Sequence, residues 1–101
     1  MLTLEKKIEE SLHLLEPSID PGEGIVNLLL EKARRNYVKY RLMDERFHHK
    51  YRIAFEMFKN SATMREPSFE VEQDFFDWDM AITGMSDMEE EVQKLENIKW
   101  R

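Results

Sequence analysis

Two Glu-x-x-His segments are the residues of this chain whose spacing could support metal chemistry. They are Glu10-Ser-Leu-His13 and Glu45-Arg-Phe-His48, and carboxylate-bridged di-iron bundles use this i, i+3 pair twice. Ligands of such a site must point into the bundle. At about 100° per residue, Glu10 and His13 point away from the apolar stripe of their segment, and Glu45 lies at the margin of its stripe. The pattern therefore favours charged surface, and a small metal-binding bundle is the third hypothesis for function.

Few other residue groups in the sequence suit catalysis. His48 and His49 are adjacent, so on a regular helix they point about 100° apart and cannot bind one ion. We find no glycine-rich phosphate loop, no Ser/His/Asp arrangement with strand context and no paired carboxylates in an apolar pocket. The chain has no cysteine, which excludes disulfides, thiolate zinc sites and cysteine nucleophiles. The sequence therefore predicts a protein that is not an enzyme and that uses no metal or other cofactor.

Asp44 is a carboxylate that falls on a predicted apolar stripe. The stripe has the 4,3 spacing typical of coiled coils, with Asp44 at one of its positions, and its other members are Val26, Leu30, Ala33, Tyr37, Tyr40, Phe47 and Tyr51. Three interpretations remain open. Asp44 belongs to a buried site, or it is a polar residue that sets the register of packing, or the stripe shifts locally onto Met43. We favour the last two together over a site.

Five cations form what we call the basic flank of the same segment. They recur at spacings of 3, 4, 7 and 4, roughly opposite the apolar stripe, and are Lys32, Arg35, Lys39, Arg46 and Lys50. Such a line could follow phosphates. A nucleic-acid-binding domain usually combines it with overall positive charge, stacking aromatics or a recognition motif, whereas this chain is acidic and has no helix-turn-helix spacing. A solvated face or an acidic partner is favoured, and a nucleic-acid-associated regulator is the second hypothesis for function.

The composition indicates one small helical domain spanning residues 1–101. Apolar residues make up 42% and charged residues 36%, with three glycines and three prolines, which favours helix over strand and one modest core. No apolar run approaches the roughly 20 residues that cross a bilayer, and the amino terminus has no signal pattern. We therefore expect a cytoplasmic protein without membrane contact. Because the core is small, we also expect stabilisation by a second subunit.

Charge alternates in sign along the chain. Residues 1–30 carry a net charge of −4, residues 31–60 a net charge of +5 and residues 66–101 a net charge of −8. With one more cation at Arg65, the total is −6. Such segregation can serve nucleic-acid binding, but an acidic helix that folds back along a basic one would neutralise the same charge internally. We favour the second interpretation.

A loop over residues 16–24 is predicted to separate a short first helix from a long second helix. Glycine and proline disfavour a continuing helix there, at Pro17, Pro21, Gly22 and Gly24. Before the loop, spacings of 4, 4 and 3 predict a short amphipathic helix with the stripe Leu4, Ile8, Leu12 and Leu15. After the loop, the stripe that contains Asp44 predicts one helix over residues 24–50.

A short connector and another long helix are predicted in the second half of the chain. We expect a kink near Tyr51, a short helix within residues 53–60, and a helix cap at Ser68 after Pro67. The long helix that follows has the stripe Val71, Phe75, Trp78, Ile82, Met85, Met88, Val92 and Leu95. Gly84 should weaken its middle by roughly 1 kcal/mol relative to Ala. The predicted fold class is all-α, a hairpin of two long antiparallel helices that forms a dimeric helical bundle.

The last helix carries a second apolar side, which we call the aromatic face. Phe69, Phe76 and Met80 project at similar angles, with Phe76 about 140° from the centre of the stripe. Either another helix of the chain covers this face, or it is an exposed patch of the kind that marks interfaces. The acidic residues predicted to border it are Asp77, Asp79, Glu70 and Glu72. The doubled apolar sides predict a homodimer, and the acidic border predicts a basic protein partner.

Four segments within residues 24–97 occur in an order that resembles a known group of proteins. They are Phe47-His-His-Lys50-Tyr51, Phe55-Glu-Met-Phe58, Ser68-Phe69-Glu70-Val71-Glu72 and Asp74-Phe75-Phe76-Asp77-Trp78. In this order, and above all in the acid-rich lead into Phe-x-x-Trp, the chain resembles small helical proteins of archaea and bacteria. These proteins are often encoded beside a predicted toxin and taken as its antitoxin.

The resemblance implies a mode of action rather than a reaction. Antitoxins of this kind act by holding a partner, so no catalytic residue is carried over to this chain. The implied function is a non-enzymatic, all-helical interaction protein that binds and neutralises a toxin, and RNA-cleaving toxins are commonly basic. The chain departs from the expected pattern at Arg52, where a glycine should follow the Lys-Tyr pair. That departure concerns the residue at which the kink is predicted.

Overall fold

The computed structural model describes residues 5–98, and every regular element in this range is helical. The helices are α1 (Lys6–Leu15), α2 (Pro21–Tyr51), α3 (Phe55–Lys59) and α4 (Phe69–Glu96), with a 3₁₀ turn at Ala62–Met64. Helices α2 and α4 pack against each other in a hairpin 56 Å long and 23 by 21 Å across. The predicted all-α hairpin is confirmed, although Leu4 of the first predicted stripe lies outside the described residues. None of the helices described has the length and apolar character needed to cross a bilayer.

Helix α2 begins at Pro21, so the predicted loop over residues 16–24 is wrong in its second half. Asp20 caps the helix, because its carboxylate accepts a hydrogen bond from the Gly22 N–H at 3.0 Å. Proline at the first helical position loses no hydrogen bond, since that N–H has no partner inside the helix. Gly24 lies in this first turn, where a Cβ would stand 3.5 Å from Leu12 of α1. Pro21, Gly22 and Gly24 therefore belong to the first turn of the helix, whereas Pro17 lies in the turn before it.

Helix α2 ends at Tyr51 because Arg52 adopts a left-handed backbone conformation, with φ 61° and ψ 21°. The Arg52 N–H still donates to the His48 carbonyl at 2.8 Å, which closes the last turn. This conformation is strained for residues with a Cβ and is the usual place for glycine after a helix. The predicted kink near Tyr51 is confirmed, and arginine occupies it where the resemblance called for glycine.

Helix α4 begins with the serine cap that the sequence predicted. The Ser68 hydroxyl accepts a hydrogen bond from the Val71 N–H at 3.2 Å. Glu70 and Glu72 lie in the first turn, where negative charge interacts favourably with the helix dipole. The cap fixes Phe69 as the first helical residue and thereby sets the rotation of all later side chains of α4.

The core is an aromatic cluster at the closed end of the hairpin. Trp78 of α4 is fully buried, and its ring centroid lies 5.6 Å from that of Phe47 of α2 and 5.1 Å from that of Phe58 of α3. Phe55 of α3 approaches the same indole at 5.3 Å. Large aromatic side chains dominate core energetics because each removes so much apolar surface from water. The short helix α3 therefore covers Trp78 and shields it from solvent.

Asp44 is the hydrogen-bond partner of this buried indole. The Trp78 Nε1–H donates to Asp44 Oδ1 at 2.8 Å across the hairpin. An indole N–H buried without an acceptor costs about 1–3 kcal/mol, so the carboxylate must lie opposite Trp78. Of the three interpretations of Asp44, the geometry supports the polar residue that sets the register of α2 against α4.

Gly84 provides the space for a close contact in the middle of the hairpin. A Cβ added at this position would stand 2.6 Å from Cδ2 and Cε2 of the Tyr40 ring on α2. The ring therefore lies directly against the α4 backbone. Gly84 was predicted only to weaken α4, but the packing of Tyr40 requires it.

Replacement of the buried indole tests the position of the core. Trp78→Ala should lower the free energy of unfolding by about 3–5 kcal/mol, because it empties a fully packed site. The matched control is Phe76→Ala, two positions away on the exposed side, which should lower it by less than about 1 kcal/mol. Urea unfolding followed by circular dichroism measures both. Similar losses for the two variants would contradict the assignment of the core.

Substitution of Gly84 tests the close contact. Gly84→Ala should destabilise the protein by about 1–3 kcal/mol through overpacking against Tyr40, although alanine is the better helix former. Ser86→Ala, on the exposed side of the same helix, is the control and should be neutral or slightly stabilising. Thermal and urea unfolding decide between the two effects. A gain of about 1 kcal/mol for Gly84→Ala would mean that the ring moves aside freely.

Candidate partner-binding surface

The aromatic face of α4 is exposed in the described part of the chain. The exposed fraction is 85% for Phe69, 56% for Phe76 and 51% for Met80. The alternative that α1 or α3 covers this face is wrong, because α1 packs on α2 and α3 packs on the side of α4 that carries Phe75 and Trp78. Three large apolar side chains on one exposed face form the kind of patch that marks interaction sites.

Phe76 is exposed but is held in place from behind. Its ring forms a T-shaped pair with that of Phe75, with the centroids 5.5 Å apart, and Phe75 stacks on Phe55 of the core with the centroids 5.7 Å apart. A ring fixed by its neighbours loses little conformational freedom on binding, which is a property of interface anchors. The aromatic face is thus an outward extension of the hairpin core.

Acidic side chains lie on both sides of the aromatic face. Asp77 is half-buried and accepts a hydrogen bond from the Gln73 side chain at 3.2 Å, while Asp79 and Glu72 are exposed on the other side. Glu70 was predicted to belong to this border, but its carboxylate is turned towards α2 and bonds to Lys50. The border therefore consists of Asp77, Asp79 and Glu72.

A polar cluster ties the first turns of α4 to the end of α2. Lys50 Nζ donates to Glu70 Oε1 at 2.7 Å and to Asp74 Oδ2 at 2.6 Å. The Tyr51 hydroxyl donates to the same Asp74 oxygen at 2.5 Å. These contacts join residues 20 to 24 positions apart in sequence. They fix the part of α4 that carries Phe69 and Phe76.

The pKa values of the cluster are shifted by its hydrogen bonds and its burial. The hydrogen bonds to Asp74 and to Glu70 raise the pKa of Lys50. Burial, and then the hydrogen bond to Asp74, raises the pKa of Tyr51 to about 12. Burial opposes ionisation of Asp74, but the hydrogen bonds from Lys50 and Tyr51 outweigh it and lower the pKa of Asp74. At neutral pH a charged lysine and a neutral tyrosine therefore both donate to the ionised carboxylate of Asp74.

Sequence analysis missed this cluster because it treated Asp44 as the carboxylate on an apolar stripe. Asp74 lies three residues after Val71 and four before Trp78, so it also faces the core side, and its side chain is only 14% exposed. The spacing of Asp74 from Val71 and Trp78 could therefore have indicated a second carboxylate on the core side. Its partners Lys50 and Tyr51 could not be assigned without the register of the hairpin.

The five residues of the basic flank are all exposed on α2, as predicted, but several are engaged within the chain. Arg35 forms an ion pair with Glu31 one turn earlier, and Lys50 belongs to the polar cluster. Arg46 lies 5.0 Å from the centre of the Phe47 ring. The ion pairs of Arg35 and Lys50 reduce the positive charge that the basic flank presents to phosphates.

The two Glu-x-x-His segments lie on different helices, and their side chains are exposed. Glu10 and His13 are on α1, and Glu45 and His48 are on α2. Glu45 pairs with Arg41 at 3.7 Å. Within residues 5–98, no three His, Asp or Glu side chains are grouped closely enough to hold a metal ion. The geometry does not bring the two segments into one site.

The polar cluster predicts a loss of stability at high pH. Tyr51 has a pKa of about 12 in the folded chain and about 10 when unfolded, so its contribution is complete below pH 10 and is lost as the pH rises through 12. The raised pKa of Lys50 acts in the same direction. Urea unfolding between pH 9 and 12 should therefore show a steeper fall in the wild type than in Tyr51→Phe. Equal slopes would contradict the assignment.

Comparison of this chain with protein-family models, with curated proteins and with solved structures finds no match in any of the three. No relative's function can therefore be transferred to it. The exposed aromatic face and its acidic border are the features from which a function has to be inferred.

Proposed function

We propose that this chain is a non-enzymatic interaction protein that binds and neutralises a basic, toxin-like protein through the aromatic face of α4. The observation that carries the proposal is the exposure of Phe69, Phe76 and Met80 on a helix whose opposite side forms the core. An apolar face of this size on a small domain, supported from behind by packed rings, is suited to docking a partner.

The charge of α4 supports a basic partner. Within Phe69–Glu96 there are ten Asp and Glu residues and one lysine. An apolar centre with a charged border matches the general anatomy of protein interfaces. A strongly acidic helix also steers a basic partner towards it and disfavours acidic ones.

The resemblance to antitoxins supplies the mechanism that this surface would serve. RNA-cleaving toxins bind phosphates with lysine and arginine side chains. An acidic helix docked over those cations would compete with RNA for them, and the aromatic face would supply the apolar contacts that slow dissociation. Inhibition by occlusion needs no catalytic residue in the inhibitor. The same role would place the chain in the cytoplasm together with its partner.

Truncation of the central ring tests the proposal. Phe76→Ala should weaken capture of the neighbouring gene's product by roughly 30-fold, corresponding to an anchor worth about 2 kcal/mol, while the helical signal in circular dichroism is unchanged. Met57→Ala is the matched control, since Met57 is a 65% exposed apolar residue on α3, outside the aromatic face.

The outcomes of this experiment separate the hypotheses. Equal capture by wild type and Phe76→Ala would eliminate the aromatic face as the binding surface. Loss of capture in Met57→Ala as well would indicate a larger surface that includes α3. Retention of the protein on RNA or DNA, falling steeply with salt and abolished by Lys39→Glu, would favour the basic flank instead.

A further inference from the structure

The single chain exposes more surface than a folded monomer of its mass. Its accessible surface is 7882 Å², whereas a compact protein of 12.2 kDa exposes about 6,100 Å². Its radius of gyration is 19.4 Å, compared with about 13 Å for a compact domain of this length. The excess of accessible surface is larger than the roughly 800 Å² per partner that a standard interface buries. The elongated hairpin therefore leaves enough surface uncovered for an interface of standard size.

Part of this surplus surface is a groove along the junction of α2 and α4, which we call the seam groove. Its apolar floor is formed by Tyr37 and Val38 of α2 and by Met88 and Val92 of α4, and its volume is about 410 Å³. Its polar lining residues, which we call its rim, are Arg34, Glu89 and Gln93. The groove lies towards the open end of the hairpin, whereas the aromatic face lies on the part of α4 that backs the core. No residue belongs to both.

The two charged residues of the rim are of opposite sign, and so are the net charges of the two helices that form the groove. Helix α2 has seven Lys and Arg against four Asp and Glu, a net charge of +3, and α4 has one Lys against ten Asp and Glu, a net charge of −9. A surface that presents a basic helix beside an acidic helix is complementary to a copy of itself rotated by a two-fold axis. The aromatic face differs in this respect, because its border is acidic on both sides.

We propose that two copies of the chain pair through the seam groove, with α2 of each copy lying over α4 of the other. The apolar floors of the two grooves then close on each other, and Arg34 of each copy faces Glu89 of the second copy. The arrangement with α2 over α2 and α4 over α4 is disfavoured, because it would oppose two helices that each carry a net charge of −9. Arg34 approaches Glu96 of its own chain at 3.7 Å, but both side chains are more than half exposed, so this ion pair is weak and can be exchanged.

Charge reversal in two separate chains tests the two-fold pairing. Arg34→Glu places two glutamates opposite each other at both symmetry-related contacts, and Glu89→Arg does the same with two arginines. Each variant alone should dissociate at least about 100-fold more readily than the wild type, about tenfold for each contact. An equimolar mixture should recover the dimer, because both contacts then join Glu to Arg. Size-exclusion chromatography with light scattering measures all four samples.

The result that would overturn the proposal is a wild-type chain that stays monomeric at about 100 µM, a dissociation constant of that size corresponding to about −5.5 kcal/mol of association free energy. Dimers of unchanged affinity in either single variant, or a mixture that stays monomeric while its components are folded by circular dichroism, would also overturn it. Folding of every sample is checked in the same way, since the substituted positions are on the surface.

A reciprocal pair of variants separates this proposal from the proposed function. Val38→Asp introduces a charge into the groove floor at a residue that is 43% exposed in the single chain. It should abolish pairing and leave capture of the basic partner intact. Met80→Asp, on the aromatic face, should weaken capture and leave pairing intact. Pairing that survives Val38→Asp but is lost in Met80→Asp would show that the aromatic face joins the two copies and would overturn the proposal.

Discussion

The hydrogen bond from the Trp78 indole to the Asp44 carboxylate, 2.8 Å long, is the interaction on which the rest of the hairpin depends. The indole is fully buried among the rings of Phe47, Phe55 and Phe58, and its N–H needs an acceptor there. Apolar packing alone would tolerate a shift of α2 along α4, because each stripe is a repeat of similar side chains. One donor and one acceptor in fixed places remove that freedom.

Once Asp44 faces Trp78, every other contact between the two long helices follows in antiparallel order. Towards the connector, Tyr51 reaches Asp74. Towards the open end, Tyr40 lies against Gly84 and Arg34 approaches Glu96. The strained backbone of Arg52 is tolerated because α3 has to turn back over the indole at that point. The charge segregation also serves this register, since basic α2 lies beside acidic α4.

The features that were predicted correctly are those determined by neighbours in sequence. The period of the stripes fixed the two long helices, and the hydroxyl of Ser68 needs only the N–H three residues later. The role of Gly84 depends on a ring 44 positions away, and the partners of Asp74 depend on the register, so neither could be derived locally. Whether the aromatic face is exposed was open for the same reason. Its exposure depends on α3, which packs on the Phe75 side of α4 and leaves Phe76 uncovered.

The two proposed surfaces lie at opposite ends of the hairpin, which differ in how well their side chains are packed. Phe76 is backed by the aromatic core at the closed end, where an anchor can be rigid. The seam groove lies about 20 Å further along α4, where few side chains are fully buried. A second copy at the open end would cover surface that the chain cannot cover itself, and it would leave both aromatic faces free. Pairing would therefore add a second binding face rather than block the first, and a dimer would hold two partner molecules, one on each α4.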